Sequence, residues 1–174
     1  MEKCSNFGEV KFFQCKENYS YSKKYGGIAG RVEKYIEDSV CVCFIGSWGT
    51  SGIVGECDKI SRCYFQLEEG CVFYGEGIVS DSSWFNVDNC FSINAKISSG
   101  KTNIRNSYSW DSKKGTGIIY DSEKNATDVT SRQMKYASYF KDFDFENVWT
   151  MDGNEDYMFP ELRSVPMIFT KTLT

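Results

Sequence analysis

Short apolar runs bounded by glycine or polar residues recur at a fixed interval along the first half of the chain. They occupy residues 26–30 (GGIAG), 51–55 (SGIVG) and 76–80 (EGIVS), and they begin 25 residues apart. A period in the twenties is typical of a solenoid, in which each repeat forms one coil and buries its apolar side only against neighbouring coils. Each run predicts a short strand that tight turns enter and leave.

A second pattern lies in phase with the first. It consists of an aliphatic residue, two polar residues, a small Ser or Cys and an apolar residue, at 36–40, 60–64, 87–91 and 104–108. Weaker copies lie at 1–4 and 12–15. The two patterns together predict one coil of about 24 to 27 residues.

Stacked coils place equivalent residues one inter-strand spacing apart, about 4.8 Å. The sequence therefore predicts two buried aliphatic rows and a third row of small side chains where each coil turns sharply. The rows are Ile28, Ile53 and Ile78; Ile36, Ile60, Val87 and Ile104; and Ser39, Cys63, Cys90 and Ser107. The predicted fold class is all-β, a short parallel β-helix (solenoid) of about four coils.

These residues resemble a known family. The glycine-bounded runs, each followed by the second pattern, are similar to GLUG-motif repeats, and segments 106–112, 115–117, 130–135, 143–145, 148–149 and 157–162 resemble the segment that closes such arrays. Ser80 departs from the pattern, since glycine is usual there. The resemblance covers roughly residues 26 to 165 and implies a right-handed β-helix, mostly found in large surface or secreted bacterial proteins.

The predicted organisation has two parts within one domain. Residues 1–112 form the β-helix repeats, with coils near 1–25, 26–50, 51–75 and 76–112, and residues 113–174 form a closing segment that contains a helix. Thr130 and Gln133 have the spacing of a capping box at the start of that helix. The predicted apolar positions of the helix are Met134, Ala137, Tyr139 and Phe140, and those of a plug over the last coil are Phe143, Phe145, Val148, Trp149, Phe159 and Leu162.

The chain has eight cysteines and no histidine. Because Cys63 and Cys90 fall in the row of small side chains, we expect free, mostly buried thiols; a disulfide framework and a metal site are the alternatives. The absence of histidine excludes a Ser-His-Asp or Cys-His site. A carboxylate-dependent polysaccharide hydrolase or lyase ranks last, because no convincing pair of acids occupies equivalent positions in neighbouring coils. We therefore expect no catalytic residues, no cofactor and no metal.

Aromatic residues between the repeated patterns are candidate contacts for a partner. Tyrosine and tryptophan are favoured anchors in binding interfaces, although packing over the coil corners is an alternative role for them. Segment 16–25 is the best candidate for a protruding recognition loop. The candidate residues are Tyr19, Tyr21, Tyr25, Trp48, Trp84, Phe85 and Trp110.

Three classes of function remain open. The first is a non-catalytic inhibitor, encoded by a phage or mobile element and similar in profile to anti-CRISPR proteins, that binds a host protein or ribonucleoprotein. The second, which the resemblance implies, is a cell-surface adhesion or carbohydrate-binding module; the third is the polysaccharide enzyme.

The net charge of −4 disfavours direct DNA binding, and no apolar run is long enough to insert into a membrane. No signal sequence opens the chain, so we expect a cytoplasmic protein, or an extracellular one if the chain is a fragment of a larger surface protein.

Overall fold

The computed structural model describes residues 1–6, 25–42, 50–67, 77–79, 86–95, 97–98, 103–110, 126–151 and 159–165. These residues form an all-β structure whose helical content is two short 3₁₀ turns, Gln133–Lys135 and Ala137–Tyr139. The strands are β1 (Ser5–Asn6), β2 (Tyr25–Gly26), β3 (Ala29–Arg31), β4 (Tyr35–Val42), β5 (Thr50–Ser51), β6 (Val54–Glu56), β7 (Lys59–Gln66), β8 (Asn86–Asp88), β9 (Phe91–Ile93), β10 (Asn103–Arg105), β11 (Ser107–Trp110), β12 (Ala126–Asp128), β13 (Trp149–Thr150) and β14 (Glu161–Leu162).

The largest sheet is parallel and follows the order of the predicted repeats. Its strands run β1-β4-β7-β9-β11-β12. Strand β8 pairs with the first half of β7, and β10 pairs with β8 on its other side. The glycine-bounded runs form two further parallel pairs, β2 with β5 and β3 with β6. Ala29 aligns with Val54, and Val54 with Val79, so the predicted 25-residue register is confirmed in these runs.

The three predicted rows are also confirmed where the structure describes them. Ile36 aligns with Ile60, Ile60 with Val87, and Val87 with Ile104, and all four are buried. Ile53 and Ile78 are fully buried, Ile28 packs against them at the partly exposed end, and Ile97 extends this row beyond the predicted set. The alignment at Ile97 follows from its carbonyl, which accepts the amide N–H of Ile78 at 3.0 Å. The residues of the small row, Ser39, Cys63, Cys90 and Ser107, are all fully buried.

The second halves of β4 and β7 (residues 39–42 and 63–66) and strands β9 and β11 are buried on both faces of the large sheet. Successive side chains of a strand point to opposite faces. Cys41 and Phe65 accordingly belong to the inner core, and Val40 and Tyr64 belong to a second core on the other face. Burial on both faces explains why the strands after each corner read as nearly continuous apolar runs. The outer row of the second core is Val40, Tyr64, Phe91 and Tyr108, which are in register.

The C-terminal segment forms the other side of this second core. Strand β14 contacts β7 and β4, and the Phe159 ring stacks on Tyr64 with centroids 6.0 Å apart. The Phe140 ring meets Phe91 at 5.6 Å and Tyr108 at 4.9 Å, both edge to face. The segment therefore lies along several strands of the sheet, whereas the sequence predicted a plug over the last coil. The apolar outer row needs lateral cover, and a plug at the end of the stack would leave it in water.

The predicted helix is replaced by the two 3₁₀ turns. The predicted capping box is present: the Thr130 amide N–H donates to Gln133 Oε1 at 3.0 Å, and the Gln133 amide N–H donates to Thr130 Oγ1 at 3.2 Å. Met134, within the first turn, and Phe140, directly after the second, are buried as predicted. Tyr136 between the two turns has an extended backbone that breaks the helical period, and Tyr139, expected among the apolar positions, is exposed.

Candidate functional site: two exposed surfaces

Each corner of the large sheet contains a residue in the left-handed region of backbone space. Asp38, Asn89 and Asn106 suit this conformation, since short polar side chains tolerate it best, but Lys3 and Arg62 do not. Neighbouring strands in register hold those two in place. The corner φ values are 52° at Lys3, 50° at Asp38, 50° at Arg62, 52° at Asn89 and 45° at Asn106.

The small residue after each left-handed residue closes the corner. Ser39 Oγ donates to the Glu37 carbonyl at 2.9 Å, and Ser107 Oγ donates to the Arg105 carbonyl at 2.8 Å. The thiol of Cys63 makes the same contact to the Ser61 carbonyl at 3.3 Å. Each bond reaches back to the carbonyl two residues earlier, across a single intervening residue. A long side chain could not make this bond in the buried space. This explains why only Ser and Cys occupy the row.

The strand halves before the corners present an exposed surface, which we call the polar face. Its side chains alternate with the buried aliphatic row, so they project away from the core. Successive strands align, with Tyr35 opposite Lys59, Lys59 opposite Asn86, and Asn86 opposite Asn103. The exposed or half-buried residues of the polar face are Tyr35, Glu37, Asp38, Lys59, Arg62, Asn86, Asp88, Asn89, Asn103, Arg105 and Asn106, and the buried Ser61 supports it from beneath.

Arg62 organises the charges at the centre of the polar face. Its Nε donates to Asp38 Oδ1 at 2.6 Å, and its Nη2 donates to Asp38 Oδ2 at 3.0 Å and to Glu37 Oε2 at 2.6 Å. These bonds, above all the one to Asp38, raise the pKa of Arg62 above its ordinary value. Ser61 Oγ donates to the same Glu37 oxygen at 3.1 Å. The side chains are partly exposed, so the pairing contributes chiefly order rather than stability.

Amide side chains continue this order on the next strands. Asn103 Nδ2 donates to Asn86 Oδ1 at 2.9 Å, and Asn106 Nδ2 donates to Asp88 Oδ1 at 3.4 Å. Each bond joins residues on adjacent strands. The polar face is therefore held by lateral bonds along much of its length.

A second exposed surface lies on the two 3₁₀ turns, and we call it the tyrosine patch. Tyr136 and Tyr139 are 53% and 48% exposed, and their ring centroids are 6.4 Å apart. The basic residues of the patch, all exposed, are Arg132, Lys135 and Lys141. The sequence between Asp128 and Asp142 contains no acidic residue, so this part of an acidic chain is locally positive.

The structure describes the side chain of one residue among the seven aromatic candidates. Trp110 lies within strand β11 rather than at a coil edge, is only 8% exposed, and donates from Nε1 to Ser131 Oγ at 3.2 Å. Its position in the second core differs from the expected exposed contact, because its strand continues the covered outer face. The backbone of Tyr25 pairs with Thr50, but its side chain lies outside the described residues. Also outside them are Tyr19, Tyr21, Trp48, Trp84 and Phe85.

Sequence reasoning missed Tyr136 and assigned Tyr139 to the core. The available signal was charge patterning, since three basic residues and no acid occur between Asp128 and Asp142. A helical period of 3.6 residues hid that signal, because it placed Tyr139 on the apolar side.

The described cysteines are free thiols, and two of them lie in surroundings that favour the protonated form. Burial raises the pKa of Cys57 to about 12, and it raises the pKa of Cys63, which also interacts with Cys90. Thiols of this kind are poor nucleophiles, since the thiolate is the reactive form. In the described part of the chain, no three His, Cys, Asp or Glu residues are grouped so that they could hold a metal ion. The free thiols are Cys4, Cys41, Cys57, Cys63 and Cys90.

Comparison of the chain with known protein families, with curated proteins and with solved structures finds no match. Among the described residues, no helix has the length and apolar character needed to cross a bilayer.

Proposed function

We propose that this chain is a non-catalytic binding protein in which a short right-handed parallel β-helix presents the polar face to a macromolecular partner. The β-helix is supported by the recurrence of the same two strand positions in each repeat, in parallel register and around one aliphatic core. A right-handed path is the general preference of parallel crossover connections. Residues 113–174 are the proposed closing segment, and their described part covers the side of the stack.

The ordered polar face is the observation that carries the proposal. Arg62 joins Glu37 and Asp38, and the amide of Asn103 joins Asn86, so these side chains are already held before any partner arrives. Pre-ordered side chains lose less conformational entropy on binding. Tyr35, which is 39% exposed, adds an amphipathic contact at one edge.

The same pairing supports a binding role over a hydrolytic one. A carboxylate pair in a glycosidase must hold one transferable proton and one free anion. Glu37 and Asp38 both accept hydrogen bonds from Arg62, and Asp88 accepts from Asn106. Each of these acids is therefore already engaged by a neighbouring side chain, as expected of an ordered binding surface.

The proposed partner is a protein or ribonucleoprotein, and the narrower form of the proposal is a phage- or mobile-element-encoded inhibitor of a host complex. The free thiols support a reducing compartment, here the cytoplasm. A carbohydrate-binding surface module is the alternative. The exposed amides of Asn86 and Asn103, on the same face as Tyr35, support it, since they offer both donors and acceptors for sugar hydroxyls.

Affinity capture with charge-reversed variants tests the proposal. Lys59→Glu and Arg105→Glu alter the polar face at exposed positions, and Arg31→Glu makes the same change of charge on strand β3, in another sheet. Tagged wild type and Arg31→Glu should recover the same partner from host lysate, and the polar-face variants should recover about tenfold less. Equal recovery by all variants, at unchanged melting temperature, would contradict the proposal. Recovery of glycans alone would support the carbohydrate-binding alternative.

A further inference from the structure

We propose that the tyrosine patch is a docking site for an acidic segment of a protein partner, separate from the polar face. The proposal rests on the proposed function, because it assumes that the partner is a protein. It adds a second contact surface and the chemistry of the segment that binds there: carboxylates beside at least one apolar side chain.

The backbone beneath the patch is firmly held. The Thr130 and Gln133 capping box closes its start, and Met134 and Phe140 are buried beneath it. At its end, the Lys141 amide N–H donates to the Tyr108 hydroxyl at 2.7 Å. Side chains on such a backbone are presented in a fixed arrangement, and the entropy cost of binding falls accordingly.

The two tyrosines have the properties of interface anchors. Each leaves about half of its surface in water on a backbone that is otherwise packed, and the rings are tilted by 54° to each other. The rings are tilted rather than stacked on each other and are about half exposed, so part of each is available to an apolar group. Tyrosine is enriched in interface hot spots because it offers a large rigid surface and one polar group.

Charge complementarity identifies the segment that would bind. Arg132, Lys135 and Lys141 are exposed and lie close to the tyrosines along the chain, and no acid lies between Asp128 and Asp142. Carboxylates are the complementary groups for such a rim, and arginine can hold one through two hydrogen bonds. Attraction between opposite charges also favours the correct orientation of the segment during encounter.

A single-stranded nucleic acid would meet the same residue types, but the rest of the chain disfavours it. Affinity for nucleic acid depends on the number of phosphates that a protein neutralises. Here three basic side chains belong to a chain of net charge −4, with a sequence pI near 5.0, whereas nucleic-acid-binding domains are usually strongly basic. An acidic peptide needs only local neutralisation of a few carboxylates.

Selection from phage-displayed random peptides of about twelve residues tests the inference on the complete chain. Wild-type protein is the bait, and the double variant Tyr136→Ser/Tyr139→Ser is the counter-selection. We expect the enriched peptides to carry several Asp or Glu residues beside an aliphatic or aromatic residue. Their affinity should fall about tenfold in the double variant and in Lys135→Glu, and should be unchanged in Arg31→Glu.

Two results would overturn the inference. One is enrichment of no peptides, or of peptides without acidic residues. The other is tighter binding of a labelled oligothymidine of about fifteen nucleotides than of any selected peptide, with the same loss in the double variant. If either occurs while Lys59→Glu still lowers capture of the host partner about tenfold, the inference fails and the proposed function stands.

Discussion

The covering of the outer row by the C-terminal segment predicts a large loss of stability in Phe140→Ala. Phe140 is 3% exposed and lies at the centre of an aromatic cluster. Its ring meets Phe91 at 5.6 Å, Tyr108 at 4.9 Å, Phe143 at 5.5 Å and Phe145 at 6.3 Å. Phe91 and Tyr108 belong to the sheet, and Phe143 and Phe145 belong to the C-terminal segment. The Phe140 ring therefore connects the two sides of the second core.

The expected loss follows from burial and from these contacts. A buried phenylalanine removes about 200 Å² from water, which at about 25 cal/mol per Å² stabilises the fold by at most about 5 kcal/mol. Measured Phe→Ala changes in cores cost about 3 to 5 kcal/mol. Since single domains are stable by about 5 to 15 kcal/mol, the variant should lose a large fraction of its stability.

Urea unfolding followed by tryptophan fluorescence measures this loss. With a slope of about 2 kcal/mol per molar urea, the midpoint should fall by about 1.5 to 2.5 M. Tyr139→Ala is the matched control, because it removes an exposed aromatic ring one residue earlier and should cost under about 0.5 kcal/mol. Phe140→Leu keeps most of the buried surface, and it gives a measurable folded variant if Phe140→Ala does not fold.

A free energy of unfolding for Phe140→Ala within about 1 kcal/mol of the wild-type value would contradict this prediction. A loss no greater than that of Tyr139→Ala would contradict it as well. Either result would mean that the outer row is not covered by this segment in solution. In that case Val40, Tyr64, Phe91 and Tyr108 would form an exposed apolar stripe.

Three further predictions address the inner core, the pH dependence and the thiols. Ile53→Asp should unfold the chain, because it places an unpaired charge at a fully buried position; a cooperative melt near that of wild type by circular dichroism would contradict this. Burial raises the pKa of Glu161 above 4.5, so its ionisation opposes folding as the pH rises through that value. Glu161→Gln should therefore raise the free energy of unfolding more near pH 7 than near pH 4 in urea titrations, and equal gains would argue against it. Cys63 should resist a thiol reagent at pH 8 until the chain is denatured, as mass spectrometry of the labelled peptides would show; rapid labelling of the folded protein would count against its burial.

Much of the fold was predictable from local pattern. The spacing of the glycine-bounded runs placed Val54 opposite Ala29, and the second pattern placed Ile60 opposite Ile36, as the strand register confirms. Even the weak copy at residues 1–4 is in register, since Glu2 pairs with Glu37. Repeats can be aligned in this way because equivalent positions of successive repeats pair with each other.

Less of the candidate site was predictable. The sequence identified the polar positions before each corner but not the bonds between them. Those bonds depend on which residues face each other on adjacent strands, as Arg62 faces Asp38. The aromatic candidates were chosen as exposed residues, yet Trp110 is buried, because an aromatic residue in a short strand can face either solvent or a second core.

The sequence by itself determined the spacing of the repeated strands, the inner aliphatic row and the corner occupied by Ser or Cys. These features repeat, and each follows from the few residues around it. Only the tertiary structure decided what covers the outer row and which tyrosines remain in water. A row such as Tyr64, Phe91 and Tyr108 requires an apolar partner without specifying one, and the partner comes from Phe140 and Phe159, which lie far along the chain. Met134 is buried as predicted, whereas the extended backbone at Tyr136 between the two 3₁₀ turns breaks the helical period, and Tyr139 is exposed and forms the tyrosine patch with Tyr136.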